Sequence, residues 1–223
     1  MTKVVTVKRR ALAASEERAE ALRSRFTESG TLVVNLISSP GSGKTTLLEA
    51  TVRALDGSLS CAVIEGDVAT ENDADRIRAL GVPAHQILTG GSCRLDVRQV
   101  ETGLADGAIP EVDILFIENV GNLICPTTYD LGEDFKVVLL SVAEGDDKPV
   151  KYPAIFARAE VAVITKSDLL PYVPFDLDSV KEQISSLNPH GTTCVTSSLK
   201  GDGVDVWIDL LRTRLKSKRQ IQG

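Results

Sequence analysis

The segment Ser38-Ser39-Pro40-Gly41-Ser42-Gly43-Lys44-Thr45-Thr46 restricts what this chain can fold into more than any other stretch. It follows the apolar run 31–38 (TLVVNLIS) without a gap and leads into residues 44–56, whose apolar spacing is helical. Glycines at this point let successive backbone N–H groups turn inward as an anion cradle, and the helix that starts there adds the positive end of its dipole. Gly41, Gly43, Lys44 and Thr45 fall in the register of the G-x-x-x-x-G-K-[ST] phosphate loop, with Ser38 in place of the first glycine. The expected ligand is a nucleoside triphosphate with Mg²⁺. Gly41, Ser42, Gly43 and Thr46 belong to the nucleotide-binding run, Lys44 reaches the β- and γ-phosphates, and the Thr45 hydroxyl binds the metal.

The rest of the chain fits the fold this loop requires. Short apolar runs at 61–67, 85–88, 112–119, 135–142, 161–165 and 192–196 lack polar alternation, as strands buried on both faces do. Helical patterns at roughly 70–80, 94–106, 178–187 and 204–219 separate them. Strand and helix alternate with connections too long for hairpins, so the expectation is an α/β protein with a mostly parallel central sheet of about seven strands, flanked by helices. Residues 1–30 read as an N-terminal helical arm, with Leu12, Ala19, Leu22 and Phe26 on one face, and 31–223 as the nucleotide-binding domain. Ligands of such sheets sit at the C-terminal ends of the strands, so those ends hold the candidate site.

Charge narrows the partners. Residues 1–25 hold seven Lys/Arg against three Asp/Glu, and 211–223 hold five against none, which leaves the middle at net −15. An acidic body repels a phosphate backbone, so nucleic acid is not an expected partner. There is no apolar run of roughly 18 residues and no apolar block after the basic cluster of MTKVVTVKRR. A cytoplasmic protein, with no membrane span, is expected. In that compartment the four cysteines, 61, 93, 125 and 194, are free thiols or metal ligands.

Four further strand ends carry chemistry. Thr165-Lys166-Ser167-Asp168 resembles the guanine-reading NKxD element with Thr for Asn. The Asp168 carboxylate can accept both the ring N–H and the amino group of guanine, a pair adenine cannot offer, while the Lys166 stem lies along the base. The missing Asn removes a side chain that usually ties this loop to the phosphate loop, so weaker affinity is expected. Ser197, Leu199 and Lys200, after the last strand, resemble the final guanine-contacting loop. Asp67 and Glu118 are placed to hold Mg²⁺ or its waters together with Thr45. Glu118 and Gly121 resemble a DxxG switch with Glu in the Asp position, the glycine amide sensing the γ-phosphate. Asn122 follows in place of a water-orienting Gln, so slow hydrolysis is expected, with Asp67 helping to position water. Lys44, Asp67, Glu118 and Gly121 are the catalytic candidates.

With these residues in place, the chain resembles the HypB family of GTPases, within the SIMIBI class of dimerising P-loop proteins. The resemblance runs from about Thr31 to Leu211 and rests on SSPGSGKTTLL, EGDVATENDADRI, GGSCRLD, ENVGNLICP, EGDDKPVKYP and KSDLLP. It implies a GTP/GDP-dependent homodimer that assists nickel insertion into a hydrogenase large-subunit precursor, with a nickel metallochaperone as partner. It also implies a metal site between subunits at positions matching Cys93 and Cys125, and makes Lys148 a candidate contact across the dimer.

The family pattern has a histidine after the first of these cysteines; this chain has Arg94. A guanidinium has no free lone pair and cannot replace imidazole as a ligand. Two cysteines from each of two copies could supply four thiolates for Ni²⁺ or Zn²⁺, and Arg94 could lower the thiol pKa values; free thiols are the alternative. Cys61 and Cys194, inside apolar strands, read as buried thiols. The sequence as it stands lacks the N-terminal cysteine motif and histidine-rich stretch that some members carry. Two other readings stay open: a nucleotide-gated docking module with incidental hydrolysis, and a related GTPase serving urease or a cobalamin-dependent mutase.

Overall fold

A computed structural model describes residues 2–67, 72–105, 107 and 109–220, with side chains from Leu12 onward. Residues 68–71 of the EGDVATENDADRI stretch, and so the start of the helix predicted over 70–80, lie outside the described residues. In chain order the elements are α1 (Thr2–Glu28), β1 (Leu32–Ser38), α2 (Lys44–Leu55), β2 (Cys61–Asp67), α3 (Asn72–Arg78), β3 (Ala84–Leu88), α4 (Val97–Ala105) and β4 (Ile114–Glu118). They continue as β5 (Phe135–Ser141), α5 (Lys148–Lys151), α6 (Pro153–Arg158), β6 (Val161–Thr165), α7 (Leu177–Leu187), β7 (Thr192–Val195) and α8 (Val204–Gln220).

The seven strands form one sheet in the order β3-β2-β4-β1-β5-β6-β7, every pairing parallel. β1 sits at its centre because its residues are apolar on both faces. Leu32, Val34 and Leu36 pack with Leu47 and Leu48 of α2 and Trp207 and Leu211 of α8. Val33 turns to the opposite side, where Ala19, Leu22 and Phe26 of α1 meet Val97 and Val100 of α4. Ile37 joins a third cluster with Phe156 of α6 and Ile184 of α7. Trp207 is fully buried, and its indole N–H donates to Thr51 Oγ1 at 2.9 Å, so its one polar atom is satisfied.

Three expectations need correction. Leu12 lies on α1 but is 53% exposed, whereas Ala19, Leu22 and Phe26 of the same helix are buried. The runs at 85–88 and 192–196 are the two edge strands and are only partly buried; Leu88 is exposed. The short helices α5 and α6 were absent from the predicted pattern, being under two turns each. The prolines at their starts, Pro149 and Pro153, were the available signal, since proline is tolerated where the first N–H has no helical partner.

The strand order reverses at β1. The chain leaves it outward through β2 and β3, returns to β4, then crosses to β5 on the other side. The C-terminal ends of β1, β2 and β4 therefore open into one crevice, the position where doubly wound sheets take ligands.

Candidate functional site

The loop between β1 and α2 turns at Gly41 (φ 76°) and Gly43 (φ 91°), both in the left-handed region that side chains disfavour. The loop borders a cavity of about 450 Å³ lined by Gly41, Gly43, Lys44, Thr45, Thr46, Glu65, Asp67, Asp73, Arg76, Glu118, Gly121 and Lys166, among others. Nine of the predicted site residues are thus gathered at one place. Ser42 lies beneath the loop, fully buried, its hydroxyl between the Ser39 carbonyl (2.9 Å) and the Glu144 carboxylate. Lys44 Nζ donates to Ser38 Oγ at 3.1 Å and stands 3.8 Å from Glu118 Oε1. Ser38, which replaces the first glycine of the loop, is therefore the lysine's resting partner.

Thr45 Oγ1 donates to Glu118 Oε1 at 3.0 Å, joining two of the three predicted magnesium residues. Glu65 was not anticipated. The register of β2 on β4 sets Glu65 directly beside Glu118, and directly paired residues of parallel strands face the same side. Both are buried, and Glu65 Oε1 and Glu118 Oε2 have no hydrogen-bond partner. Burial pushes the Glu65 carboxyl up to about 10, and the neighbouring Glu118 adds to the shift. Glu118 is raised as well, by burial first, against the pull of Lys44. The raised value favours the protonated form of Glu65 beside Glu118, even with Lys44 facing Glu118 at 3.8 Å. Hard oxygen donors with unsatisfied lone pairs beside a phosphate loop suit Mg²⁺, which keeps several waters of its own. The sequence signal for Glu65 was a carboxylate inside an otherwise apolar buried strand.

Gly121 approaches the phosphate loop closely: a Cβ there would lie 2.9 Å from Pro40 N. Asp67 stands at the end of β2 on the cavity wall, and Asp73 and Arg76 of α3 complete that side.

The predicted base-reading residues form a neighbouring cluster. Asp168 Oδ1 accepts from Ser197 Oγ at 2.6 Å, and Ser197 Oγ also accepts from Lys200 N at 3.2 Å. Leu199 is 83% exposed and, with Lys200, borders a separate groove between α2 and α8. Lys166, at φ 58°, donates from Nζ to the Gly41 carbonyl at 2.7 Å. The expected loss of the tie between this element and the phosphate loop is corrected here. The buried Thr165 hydroxyl donates to the Ser42 carbonyl at 2.6 Å, so Thr supplies the link in place of Asn.

Cys61 and Cys194 are buried thiols, as expected; burial pushes Cys61 up to about 11 and Cys194 upward. Cys93 and Cys125, 32 positions apart in sequence, stand within hydrogen-bonding reach of each other. Among the described residues no group of three or more His, Cys, Asp and Glu side chains is gathered for a metal, so this thiol pair has no third such side chain beside it. Cys125 is raised, by its hydrogen bond to Cys93 first, and this outweighs the lowering by the Arg94 charge. The Arg94 charge thus acts on Cys125 in the expected direction, and the net rise comes from Cys93 and from burial. The Arg94 guanidinium lies over the Tyr129 ring, 3.4 Å from its centroid. Lys148, the candidate for a contact across a dimer, stands 3.9 Å from Glu144 Oε2 and over the Tyr152 ring at 5.5 Å. Among the described residues no helix is long and apolar enough to cross a membrane.

Comparison with known proteins agrees with this arrangement. A family model described as CobW/HypB/UreG, nucleotide-binding domain, matches residues 4–195. The hydrogenase maturation factor HypB of Escherichia coli (strain K12) is 49% identical over 196 residues, 88% of this chain and 68% of that protein. The hydrogenase/urease maturation factor HypB of Helicobacter pylori is 42% identical over 200 residues, 88% of this chain and 82% of that protein. Among solved structures, HypB from Helicobacter pylori in complex with nickel superposes with a TM-score of 0.84 at 39% identity, covering 93% of this chain and 96% of that one. HypB from Archaeoglobus fulgidus gives 0.85 at 39% identity, covering 91% and 99%. FlhF complexed with GMPPNP and Mg²⁺, at 16% identity and a TM-score of 0.56, shares the fold. With its phosphate loop, its sheet order and these relatives in agreement, the chain belongs to the HypB family of the CobW/HypB/UreG nucleotide-binding proteins.

Proposed function

We propose that this protein binds GTP with Mg²⁺, hydrolyses it slowly to GDP and phosphate, and uses the cycle to control a homodimer. In that dimer two Cys93/Cys125 pairs hold Ni²⁺ as cargo, or Zn²⁺, for insertion of nickel into a hydrogenase large-subunit precursor in the cytoplasm. The observation that carries this reading is the meeting of the two thiols at the far end of the segment that starts at Glu118. The relatives' name as hydrogenase maturation factors supports the client enzyme, and a nickel-bound relative supports the cargo; the metallochaperone partner is what the family resemblance implies. In this reading residues 1–30 are an arm docked on a nucleotide-binding domain formed by 31–223.

The residues divide the work as follows. The amides of Gly41, Ser42 and Gly43, with Thr46 behind them, cradle the phosphates, and Lys44 leaves Ser38 to neutralise the β- and γ-phosphate oxygens. Asp168 and Lys166 read guanine, and Ser197, Leu199 and Lys200 close over the base. Thr45, Glu118 and Asp67 hold Mg²⁺ directly or through its waters. When bound, the metal neutralises charge developing on the transferred phosphoryl group. Asp67 orients water toward the γ-phosphate, and the Gly121 N–H marks the position of that phosphate.

A second reading has an observation of its own. Asn122 Oδ1 is engaged by the backbone N–H groups of Ile124 (2.7 Å) and Cys125 (3.2 Å), so it is not placed to orient attacking water. This favours a docking module whose oligomeric state follows the nucleotide and whose turnover is incidental. A relative named for both hydrogenase and urease maturation also keeps a second client open.

The test is to titrate Ni²⁺ and Zn²⁺ into wild type and Cys93→Ala, with and without a non-hydrolysable GTP analogue, while following native mass. The proposal expects about one metal ion per dimer in wild type and none in the variant. Absence of binding in every nucleotide state would remove the metal-delivery role.

A further inference from the structure

Asn119, the residue after Glu118, is 2% exposed, and its amide is held on both sides. Its Oδ1 accepts from the backbone N–H of Leu95 (3.0 Å) and of Val120 (3.0 Å). Its Nδ2 donates to Asn35 Oδ1 at 3.3 Å, and Asn35 Nδ2 in turn donates to Glu133 Oε1 at 3.2 Å. With donors and acceptors matched this way, the amide cannot flip without breaking several buried hydrogen bonds.

Leu95 is two residues from Cys93 and fully buried. It is packed so tightly against β2 that a Cβ on Gly66 would lie 2.6 Å from Leu95 Cγ. The loop carrying the first thiol is therefore clamped between Gly66, beside Asp67, and Asn119, beside Glu118. The second thiol depends on the same segment, because Asn122 Oδ1 accepts from the Cys125 backbone N–H. Gly121, between the two asparagines, rests against Pro40 of the phosphate loop. Residues 119–125 thus touch the phosphate loop at Gly121, hold Leu95, two residues from Cys93, at Asn119, and hold the Cys125 N–H at Asn122.

We propose that Asn119 is the positioning residue through which the nucleotide state sets the separation of the Cys93 and Cys125 thiols, and hence their hold on a soft divalent cation. The inference rests on the guanine-nucleotide and thiol-metal readings above and names the part that joins them. A shift of Glu118–Gly121 around a γ-phosphate carries the Asn119 amide with it. Leaving the buried Leu95 N–H without an acceptor is costly, so the Cys93 loop follows rather than separating. Leu95 against Gly66 limits that loop to a small number of packed positions, as a two-state relay requires.

The experiment measures iodoacetamide alkylation rates of Cys93 and Cys125 by peptide mass spectrometry in the full chain. GDP or a non-hydrolysable GTP analogue is saturating, native mass is followed in parallel, and Ni²⁺ affinity is read from the thiolate charge-transfer absorption. In wild type the alkylation rates are expected to differ between nucleotides by about fivefold or more. Asn119→Ala should bring that ratio close to one while the mass response to nucleotide persists. A wild-type ratio of one, an unchanged ratio in Asn119→Ala, or a ratio lost only together with the mass response overturns the proposal; the last would assign the effect to burial in a dimer. Should Asn119→Ala fail to fold, Gly66→Ala displaces Leu95 from the opposite side, and a wild-type ratio in that variant overturns it equally. Failure of Ni²⁺ to bind in any state, with the alkylation ratio intact, refutes the nickel reading and leaves the relay standing.

Discussion

Thr165→Val removes one hydroxyl and little volume, and the structure says where the cost falls. The hydroxyl donates to the Ser42 carbonyl at 2.6 Å, between two residues exposed by 2% or less, so water cannot replace it. A buried carbonyl deprived of its donor costs about 1–3 kcal/mol, which urea unfolding of the ligand-free protein should report directly. Part of that sum should also appear in binding, because this bond fixes Lys166 and Asp168 relative to the phosphate loop. Lys166 keeps a second link through the Gly41 carbonyl, but that link is exposed and weaker. About 1.4 kcal/mol transferred to the base contacts would lower GDP affinity roughly tenfold, while ADP, held by the phosphate loop alone, changes little. Calorimetric titration of both nucleotides measures the ratio. Thr165→Ser, which keeps the hydroxyl, should retain wild-type discrimination. A Thr165→Val protein that loses stability but keeps its GDP-to-ADP ratio would show that the bond is structural only, and one that loses neither would refute the reasoning outright.

Glu65→Gln should flatten the pH dependence of stability of the ligand-free protein. The folded-state pKa of Glu65 is raised to about 10 by burial, so its contribution is fully present below the ordinary carboxylate range and is lost as pH rises toward 10. Thermal midpoints should therefore fall from pH 5 to pH 9 in wild type and less in the variant; an equal or steeper fall in the variant would refute the assignment. Arg94→His should tighten Ni²⁺ binding about tenfold or more, because an imidazole lone pair replaces a guanidinium that repels a dication; unchanged affinity would place the metal away from Cys93. Asp168→Asn should shift nucleotide preference from guanosine toward xanthosine, since the amide donates where the carboxylate accepts. Equal binding of ATP and GTP by wild type would remove the base assignment altogether.

Much of the molecule is legible in the chain because it is written locally. The phosphate loop is contiguous, the seven strand runs are contiguous apolar segments, and the two elements proposed to read guanine follow their strands directly. A strand buried on both faces and a glycine turn before a helix need no distant partner to be recognised. Edge strands were harder, since β3 and β7 have the same apolar look without a neighbour on one side. Helices under two turns, such as α5, carry too few residues to show a period.

The parts of the site that the sequence did not disclose are all meetings between segments far apart in the chain. Glu65 and Glu118 become a carboxyl pair through the register of β2 against β4. Thr165 meets Ser42 across 123 positions, Asn119 meets Leu95 across 24, and Cys93 finds Cys125 at the end of the segment that also touches the phosphate loop. By itself the sequence determined that this chain builds a parallel α/β sheet with a phosphate loop at its centre, because backbone conformation and burial pattern are local properties. Only the tertiary structure decided which carboxyls lie side by side, what replaces the missing asparagine, and which segment runs between the phosphate loop and the thiols. Those outcomes depend on strand register and loop packing, which side chains distant in sequence settle together.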